Sequence, residues 1–354
     1  MTHWAFSRKA ENNMKLLRSQ LYINDLKKAL CNINLEQLQN KTIAVTGGLG
    51  LIGSTVVDLL FEYGKLKKIY VLGRDQKKFE ERYSDTSNIE FVKYDALKDI
   101  NFEFVPDYII HSAGLANPAL YINQPVETIL SNFVGVYSLL EFAKRTSVRR
   151  MLYISSSEVY GTKNTSEAFK EGVYGTINID NIRSSYPVAK RSAEMLCNAY
   201  NTEYNLRTLI VRPGHIYGPS ASKKDMRISS EFAFLSAEGK NLELKSSGLQ
   251  KRSYCYSVDC AAQILMVLLK GDPGEAYNIG HDEITSIREM ASFYAKAGNV
   301  KLIMQQPTSQ ELAAFNPMNN ATLDNTKIKS LGYKNLFSVE EGCIHTVKIL
   351  KEFC

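Results

Sequence analysis

No apolar run in this chain approaches the roughly 20 residues needed to cross a bilayer, so no membrane span is expected. Charged residues at Arg8, Lys9, Glu11, Lys15 and Arg18 break up the amino terminus and argue against a signal peptide. The six cysteines (Cys31, Cys197, Cys255, Cys260, Cys343, Cys354) share no Cys-x-x-Cys or disulfide-framework spacing, and free thiols in a reducing cytoplasm are the expectation. The five histidines have no metal-ligand spacing, so no zinc site is expected. There is no dense basic run with interleaved aromatics, and nucleic acid is not an expected partner. A net charge of +6 over 354 residues is mild and suits an anionic small molecule. Internal repeats and low-complexity tracts are also missing, and 44% hydrophobic with 23% charged residues is ordinary globular composition.

What is present is a change of period at Lys41. Residues 1–40 are polar and helical in pattern, an extension of one or two helices expected outside the main fold. From Lys41, short β-rich runs at Thr42–Thr46, Lys68–Leu72, Ile89–Lys93, Tyr108–His111, Met151–Ser155 and Arg207–Arg212 alternate with helix-length segments at Gly53–Tyr63, Val126–Arg145 and Tyr186–Tyr204. That alternation implies an α/β fold, a doubly wound parallel sheet covered on both faces. Residues 41–213 therefore read as the cofactor-binding domain. After Pro213 the pattern loosens, with helices at Ser257–Lys270 and Ile287–Ala297, and residues 214–354 read mainly as a smaller substrate-binding lobe interleaved with the sheet.

Gly48-x-Gly50-x-x-Gly53 follows a predicted strand and opens a predicted helix, the setting in which glycines let the backbone approach a pyrophosphate at a helix amino terminus. The next strand ends Val71-Leu72-Gly73-Arg74-Asp75. Glycine stands where an acid would hold the adenosine 2′-hydroxyl, and Arg74 follows it, so NADP is favoured over NAD unless Asp75 turns inward. Asp95, at the end of the following strand, is a candidate for the adenine edge.

Tyr186 and Lys190 are four apart and share one helical face. Tyr-x-x-x-Lys alone is a poor signal, since it also occurs at Tyr63/Lys67 and Tyr94/Lys98. Only the third pair has serines (Ser155-Ser156-Ser157) at the carboxyl end of a buried strand upstream, where open parallel sheets bind ligands. A phenol with an ordinary pKa near 10 becomes a useful base when cations lie close to it. Such a base takes the proton of a sugar or alcohol hydroxyl while hydride passes to a nicotinamide.

With Thr46–Gly53, His111-Ser112-Ala113-Gly114, Asn132-Phe133-Val134-Gly135, Ser155–Gly161 and Arg212–Pro219 added, the chain from about Lys41 to Tyr333 resembles the extended short-chain dehydrogenase/reductases. Within these it is most similar to the NAD(P)-dependent nucleotide-sugar epimerase/dehydratase family. The resemblance implies Ser156 as catalytic hydroxyl, Tyr186 as base, Lys190 as ribose ligand lowering the tyrosine pKa, and Asn132 as a structural fourth member. It implies a cofactor site of Gly47, Gly48, Leu49, Gly50, Leu51, Ile52 and Gly53 with Arg74, Asp95, Ala96, Ser112, Ala113, Gly114 and Pro213, completed by Tyr186 and Lys190. Ser157, His215 and Arg252 are then substrate residues, Arg252 matching an arginine that commonly holds a diphosphate or nearby anion. A homodimer through the helices 126–145 and 186–204 is also implied.

The expected activity is oxidoreduction at C4 of a nucleoside-diphosphate hexose, as a 4-epimerase or 4-keto-sugar reductase supplying surface-polysaccharide precursors. Ser157-Glu158 replaces the Asp-Glu pair of the dehydratases. With Arg183-Ser184-Ser185-Tyr186 it is similar to the UDP-glucuronate decarboxylases, which stand as the alternative. A non-catalytic NADP-binding sensor or scaffold would have no need of serine, tyrosine and lysine together. Two departures concern the substrate: His215 stands where relatives have asparagine, and Pro317-Met318-Asn319-Asn320 precedes Asp324-Asn325-Thr326-Lys327-Ile328, where an arginine for the diphosphate is usual.

Overall fold

The computed structural model describes residues 16–84, 86–98, 100–306 and 320–354. Its frame is a seven-stranded, wholly parallel sheet. The strands in chain order are β1 (Thr42–Thr46), β2 (Lys68–Gly73), β3 (Ile89–Lys93), β4 (Tyr108–His111), β5 (Arg150–Ile154), β6 (Thr208–Pro213) and, after an excursion, Ala276–Ile279. Their spatial order is β3-β2-β1-β4-β5-β6 with Ala276–Ile279 beyond β6. The order reverses between β1 and β4, and at such a switch point the loops diverge and leave a crevice.

The central strands β1, β4 and β5 are apolar on both sides because both faces are covered. In β1, Ile43 and Val45 face one hydrophobic cluster while Ala44 faces the other. In β5, Leu152 and Ile154 divide from Met151 and Tyr153 in the same way. One face takes α2 (Leu51–Tyr63) and α3 (Gln76–Tyr83), with the later helix Ser257–Lys270 packed against α2. The other takes the helices Pro125–Arg145 and Ser185–Tyr204, packed on one another. Pro125 sits in the first turn of the former, Pro187 in that of the latter, where a missing N–H costs nothing. Asn205, left-handed at φ 53°, ends the latter.

The amino-terminal helix α1 (Gln20–Ala29) is not peripheral, contrary to the expectation for residues 1–40. Tyr22, Leu26 and Ala29 are fully buried in the main core, and Leu16, Ile33, Leu35 and Leu38 join them. The Tyr22 hydroxyl donates to Asp58 of α2 at 2.8 Å, and Tyr83 of α3 donates to the same carboxylate at 2.8 Å. Arg82 completes the set as the counter-ion of Asp58. Residues 1–15 lie outside the described residues.

After Pro213 the chain leaves the sheet. Strands His215–Tyr217, Lys251–Tyr256, Ile284–Ser286 and Asn320–Ala321 form a second, four-stranded sheet beside the carboxyl edge of the first. Among the described residues no helix is long and apolar enough to cross a membrane.

Candidate active site

One cavity of about 1410 Å³ runs from the β1–α2 turn along the carboxyl ends of β2, β4, β5 and β6 to the strand Lys251–Tyr256. A single small ligand typically fills roughly 300–1,000 Å³, so this space holds a dinucleotide and a second ligand together.

The glycine turn fits a dinucleotide on steric grounds. Gly47 has φ +66°, and a Cβ there would lie 2.9 Å from the Ala113 nitrogen. At Gly53 a Cβ would lie 2.4 Å from the Gly47 carbonyl oxygen, so only glycine lets α2 start this close to β1. Gly50 caps α2 without a side chain, which leaves the first amides of the helix facing the cavity for phosphate. Opposite, Thr46 Oγ1 accepts from the Ser112 and Ala113 amides at 3.1 and 3.0 Å and holds the β4 loop against the turn. Leu49, Leu51, Ile52, Ser112, Ala113, Gly114 and Pro213 line the same wall, with Gly48 and Gly53 behind it.

At the far end of this wall Arg74 is exposed and borders the cavity. The Asp75 carboxylate is the N-cap of α3, one oxygen accepting from the Lys78 amide at 2.9 Å, and it too borders the cavity beside Arg74. Lys78, which the sequence reading overlooked, stands half-buried beside Arg74 on the cavity wall. Burial and neighbouring Arg82 hold its ammonium below the ordinary range. Asp95 accepts from the Leu97 amide at 3.1 Å and borders the cavity with Ala96.

The catalytic candidates meet where β5 ends. Ser156 caps a short 3-10 turn, its hydroxyl accepting from the Glu158 amide at 3.2 Å, and it borders the cavity with Tyr186. Tyr186 and Lys190 are both buried, at 6% and 4% exposure. Burial, then the charge of Glu158, raises the Tyr186 phenol to about 12, while hydrogen bonds from Ser156 and Tyr121 and the charge of Arg227 pull it back. Lys190 Nζ donates to the Ile154 carbonyl at 2.9 Å, 5.8 Å from the Tyr186 ring centroid, and burial depresses it to about 7. In this arrangement Lys190 is aimed at the strand end rather than at the phenol, so Ser156, Tyr121 and Arg227 supply what stabilises a phenolate.

Glu158 is fully engaged. Arg183 grips it through both guanidinium nitrogens at 3.0 and 3.1 Å, a bidentate pair on the rim of the same cavity. Asn132 lies behind the β4 loop, where its amide donates to the Leu115 and Thr128 carbonyls at 3.2 and 2.8 Å.

On the substrate side Arg252 is 4% exposed and borders the cavity with Ser157 and His215. The guanidinium donates to the Lys251 carbonyl at 2.9 Å. His215 is neutral: burial, then the charges of Arg252 and Arg227, depress it to about 3. Its Nδ1 is buried without a partner among the described residues. Of the carboxyl-terminal departure Asn320 and Asp324 to Ile328 are described, and residues 317–319 lie outside the described residues. No cluster of His, Cys, Asp or Glu among the described residues is arranged to hold a metal ion.

A parallel sheet of this order, a glycine turn at its switch point and serine, tyrosine and lysine at its carboxyl edge define an enzyme of the extended short-chain dehydrogenase type. The chain belongs to the NAD dependent epimerase/dehydratase family, whose model matches residues 43–280. It is 32% identical over 311 residues to UDP-glucuronic acid decarboxylase 5 of Arabidopsis thaliana, covering 86% of this chain and 87% of that protein. UDP-glucuronic acid decarboxylase 6 of the same plant is 34% identical over 257 residues, 71% of this chain and 73% of its own length. Among solved structures, the UDP-glucuronic acid 4-epimerase of Bacillus cereus, in complex with UDP-glucuronic acid and NAD, matches with a TM-score of 0.74 at 24% identity. The match covers 88% of this chain and all of that one (100%), and it shows the shared fold.

Proposed function

We propose that the enzyme oxidises or reduces C4 of the hexose in a UDP-linked sugar, with Tyr186 exchanging the hydroxyl proton. The observation that carries this reading is the placing of Ser156 and Tyr186 between the dinucleotide wall and the arginine-lined end of one cavity. In the oxidative direction the O4–H proton passes to the Tyr186 phenolate while Ser156 holds the same oxygen. A nicotinamide dinucleotide held along the glycine turn and the Ser112–Gly114 loop would supply the acceptor for the C4 hydride. The relatives' substrates supply the choice of UDP, and Arg252 is the cation suited to its diphosphate.

Decarboxylation is the second reading, favoured by the relatives and by the Arg183–Glu158 pair beside the catalytic centre. A 4-keto group adjoining C5 stabilises the carbanion left when C6 departs as carbon dioxide. Incubation with UDP-glucuronate, UDP-glucose and a UDP-4-keto-6-deoxy sugar, each with NAD(H) and NADP(H), separates the outcomes by NMR. A changed C4 epimer or a reduced 4-keto sugar supports the first reading and a UDP-pentose the second. Recovery of every sugar unchanged, with no epimer, reduced sugar or pentose, overturns both.

NADP is the proposed cofactor, because two cations, Arg74 and Lys78, border the adenosine end, where the Asp75 carboxylate beside them has one oxygen engaged in capping α3. Charge-assisted hydrogen bonds contribute about 1.5–3 kcal/mol each, so Arg74→Ala with Lys78→Ala should weaken NADPH binding roughly 10²–10⁴-fold. NADH binding should be unchanged. Fluorescence titration of both cofactors decides, and wild-type protein that prefers NADH rules the assignment out.

A homodimer is proposed through the helices Pro125–Arg145 and Ser185–Tyr204. Val126, Ile129, Leu130 and Tyr137 form one exposed apolar stripe on the first, and Met195 is 68% exposed on the second. Ile129→Lys with Leu130→Glu should convert a dimer to a monomer in sedimentation velocity. A wild-type monomer at micromolar concentration disproves the interface.

A further inference from the structure

Lys190 and Ile154 border the cavity, and Tyr153 of β5 lies behind them, 1% exposed. The Lys190 ammonium stands over the Tyr153 ring, with Nζ 4.7 Å from its centroid and 5.8 Å from that of Tyr186. The nearer ring is well inside the roughly 6 Å over which an aromatic face attracts a cation. The same ammonium donates to the Ile154 carbonyl at 2.9 Å, so two consecutive residues of β5 hold it. The ring is fixed in its turn. Thr46, His111 and Tyr153 are paired directly across β1, β4 and β5, which sets the three side chains in a row on one face of the sheet. The His111 ring lies 5.8 Å from that of Tyr153, with planes 20° from parallel. Thr46 Oγ1 accepts from the Ser112 and Ala113 amides, which leaves its own hydrogen for His111 Nδ1, 2.7 Å away. His111 therefore carries its hydrogen on Nε2 and is neutral; burial, then the charge of Lys190, depress it to about 3. The Tyr153 hydroxyl is buried with no partner among the described residues, so the ring face is the part of this side chain that is engaged.

We propose that Tyr153 is a positioning residue for the cofactor site: the face of its ring holds the Lys190 ammonium at the end of β5, charged and with hydrogens free for a ligand in the cavity. This rests on the reading of Lys190 as the ligand of the cofactor ribose. An ammonium has three hydrogens, and the Ile154 carbonyl takes one of them. The groups around Lys190 explain why a ring face matters there. Burial opposes its charge and depresses it to about 7, so near neutral pH a modest attraction decides how much of it is protonated. On its own helix Glu194 favours the charge, but that carboxylate is paired with Arg212 of β6. Cys197 and Tyr186 are the other titratable side chains of the helix near it. His111, from β4, is neutral and adds no second cation beside the Tyr153 ring. The ring is thus left to serve Lys190 alone.

The test compares two rings of the same shape at position 153. Tyr153→Phe keeps the negative ring face, whereas pentafluorophenylalanine in place of Tyr153 keeps the packing and reverses the charge of that face. Loss of the attraction should lower the ionisation of Lys190 by about 0.4–1.5 pH units. That ionisation is read without cofactor by NMR of isotopically labelled lysine side chains, the Lys190 signal being the one absent from Lys190→Met. Tyr153→Phe should titrate as the wild type does. A lowered ionisation means that the ammonium is lost earlier as pH rises. In the fluorinated protein, NADPH and NADH fluorescence titrations should therefore show affinity beginning to fall at a correspondingly lower pH. Above that pH binding should be about three- to thirtyfold weaker than wild type, with little difference well below it. An unmoved Lys190 titration in the fluorinated protein overturns the proposal. So does an equal shift in Tyr153→Phe, which would give the effect to the hydroxyl. Affinity lowered equally at every pH overturns it as well, because a merely structural role predicts that. If Lys190→Met binds both dinucleotides as tightly as the wild type, the reading of Lys190 as ribose ligand fails, whereas the lysine titration still reports whether the Tyr153 ring holds its charge.

Discussion

Replacing Tyr186 with phenylalanine is expected to lower kcat by about 10²–10⁴-fold, the usual contribution of a positioned acid or base. The change removes one oxygen and little else. The ring stacked on Tyr121 remains, the helix still begins at Ser185, and Lys190 keeps its bond to the Ile154 carbonyl. Ser156 and Tyr121 each lose a partner, but both hydroxyls belong to residues on the cavity wall, where water can enter. Folding and NADPH affinity should therefore stay close to wild type while the proton has no carrier. Single-turnover absorbance of the nicotinamide, with NADPH fluorescence titration beside it, separates the two effects. Turnover within tenfold of wild type would falsify the role assigned to Tyr186. Loss of cofactor binding along with turnover would instead place the tyrosine in the dinucleotide site.

The sheet was legible in the sequence because its signals are local. Apolar runs a few residues long, bounded by turn residues and separated by helix-length stretches, mark β1 to β6, and the structure moves their ends by no more than one residue. Ser257–Lys270 appears as a helix with the same bounds as expected, since its apolar stripe and the glycine after it leave little choice. The glycine turn was legible for a different reason: its residues are dictated by backbone space, and few other arrangements need glycine at those three positions.

What could not be read is what distant segments bring together. The amino-terminal helix showed Tyr22, Leu26 and Ala29 on one face, but nothing local says that this face meets α2 and the carboxyl-terminal helix Val339–Lys351. Tyr121, Lys78 and Arg227 reach the cavity from three separate loops or short helices, and no spacing links them. Asp75 is the instructive middle case. The sequence left open whether it turns toward the ribose, although an Asp just before the first helical residue is a common N-cap. The cap rule, applied there, would have accounted for one of its two carboxylate oxygens.

A buried ion pair one turn beyond Lys190 is expected to carry the largest effect on stability. Arg212, near the end of β6, is 2% exposed, and its guanidinium bonds Glu194 at 2.6, 3.0 and 3.2 Å. It also donates to the Tyr160 and Tyr174 hydroxyls and the Glu171 carbonyl at 3.0, 2.6 and 2.8 Å. Glu194→Ala strips the only carboxylate from this set and leaves a buried cation held by neutral oxygens. Removing one partner of a buried pair typically costs about 3–5 kcal/mol, and the urea midpoint should fall accordingly. Glu194→Leu with Arg212→Met removes both charges and should recover much of the loss, because desolvating the pair offsets most of its attraction. A loss below about 1 kcal/mol, small beside that range, would mean that water reaches Arg212. The same substitution also tests function. Glu194 shares its helix with Tyr186, and Arg212 immediately precedes Pro213 on the cavity wall, so the pair joins the catalytic helix to the strand beside it. If the pair holds that geometry, kcat at temperatures where Glu194→Ala is fully folded should fall more than cofactor affinity does, since most of the dinucleotide wall is built on β1, β2 and β4 and Pro213 alone comes from β6.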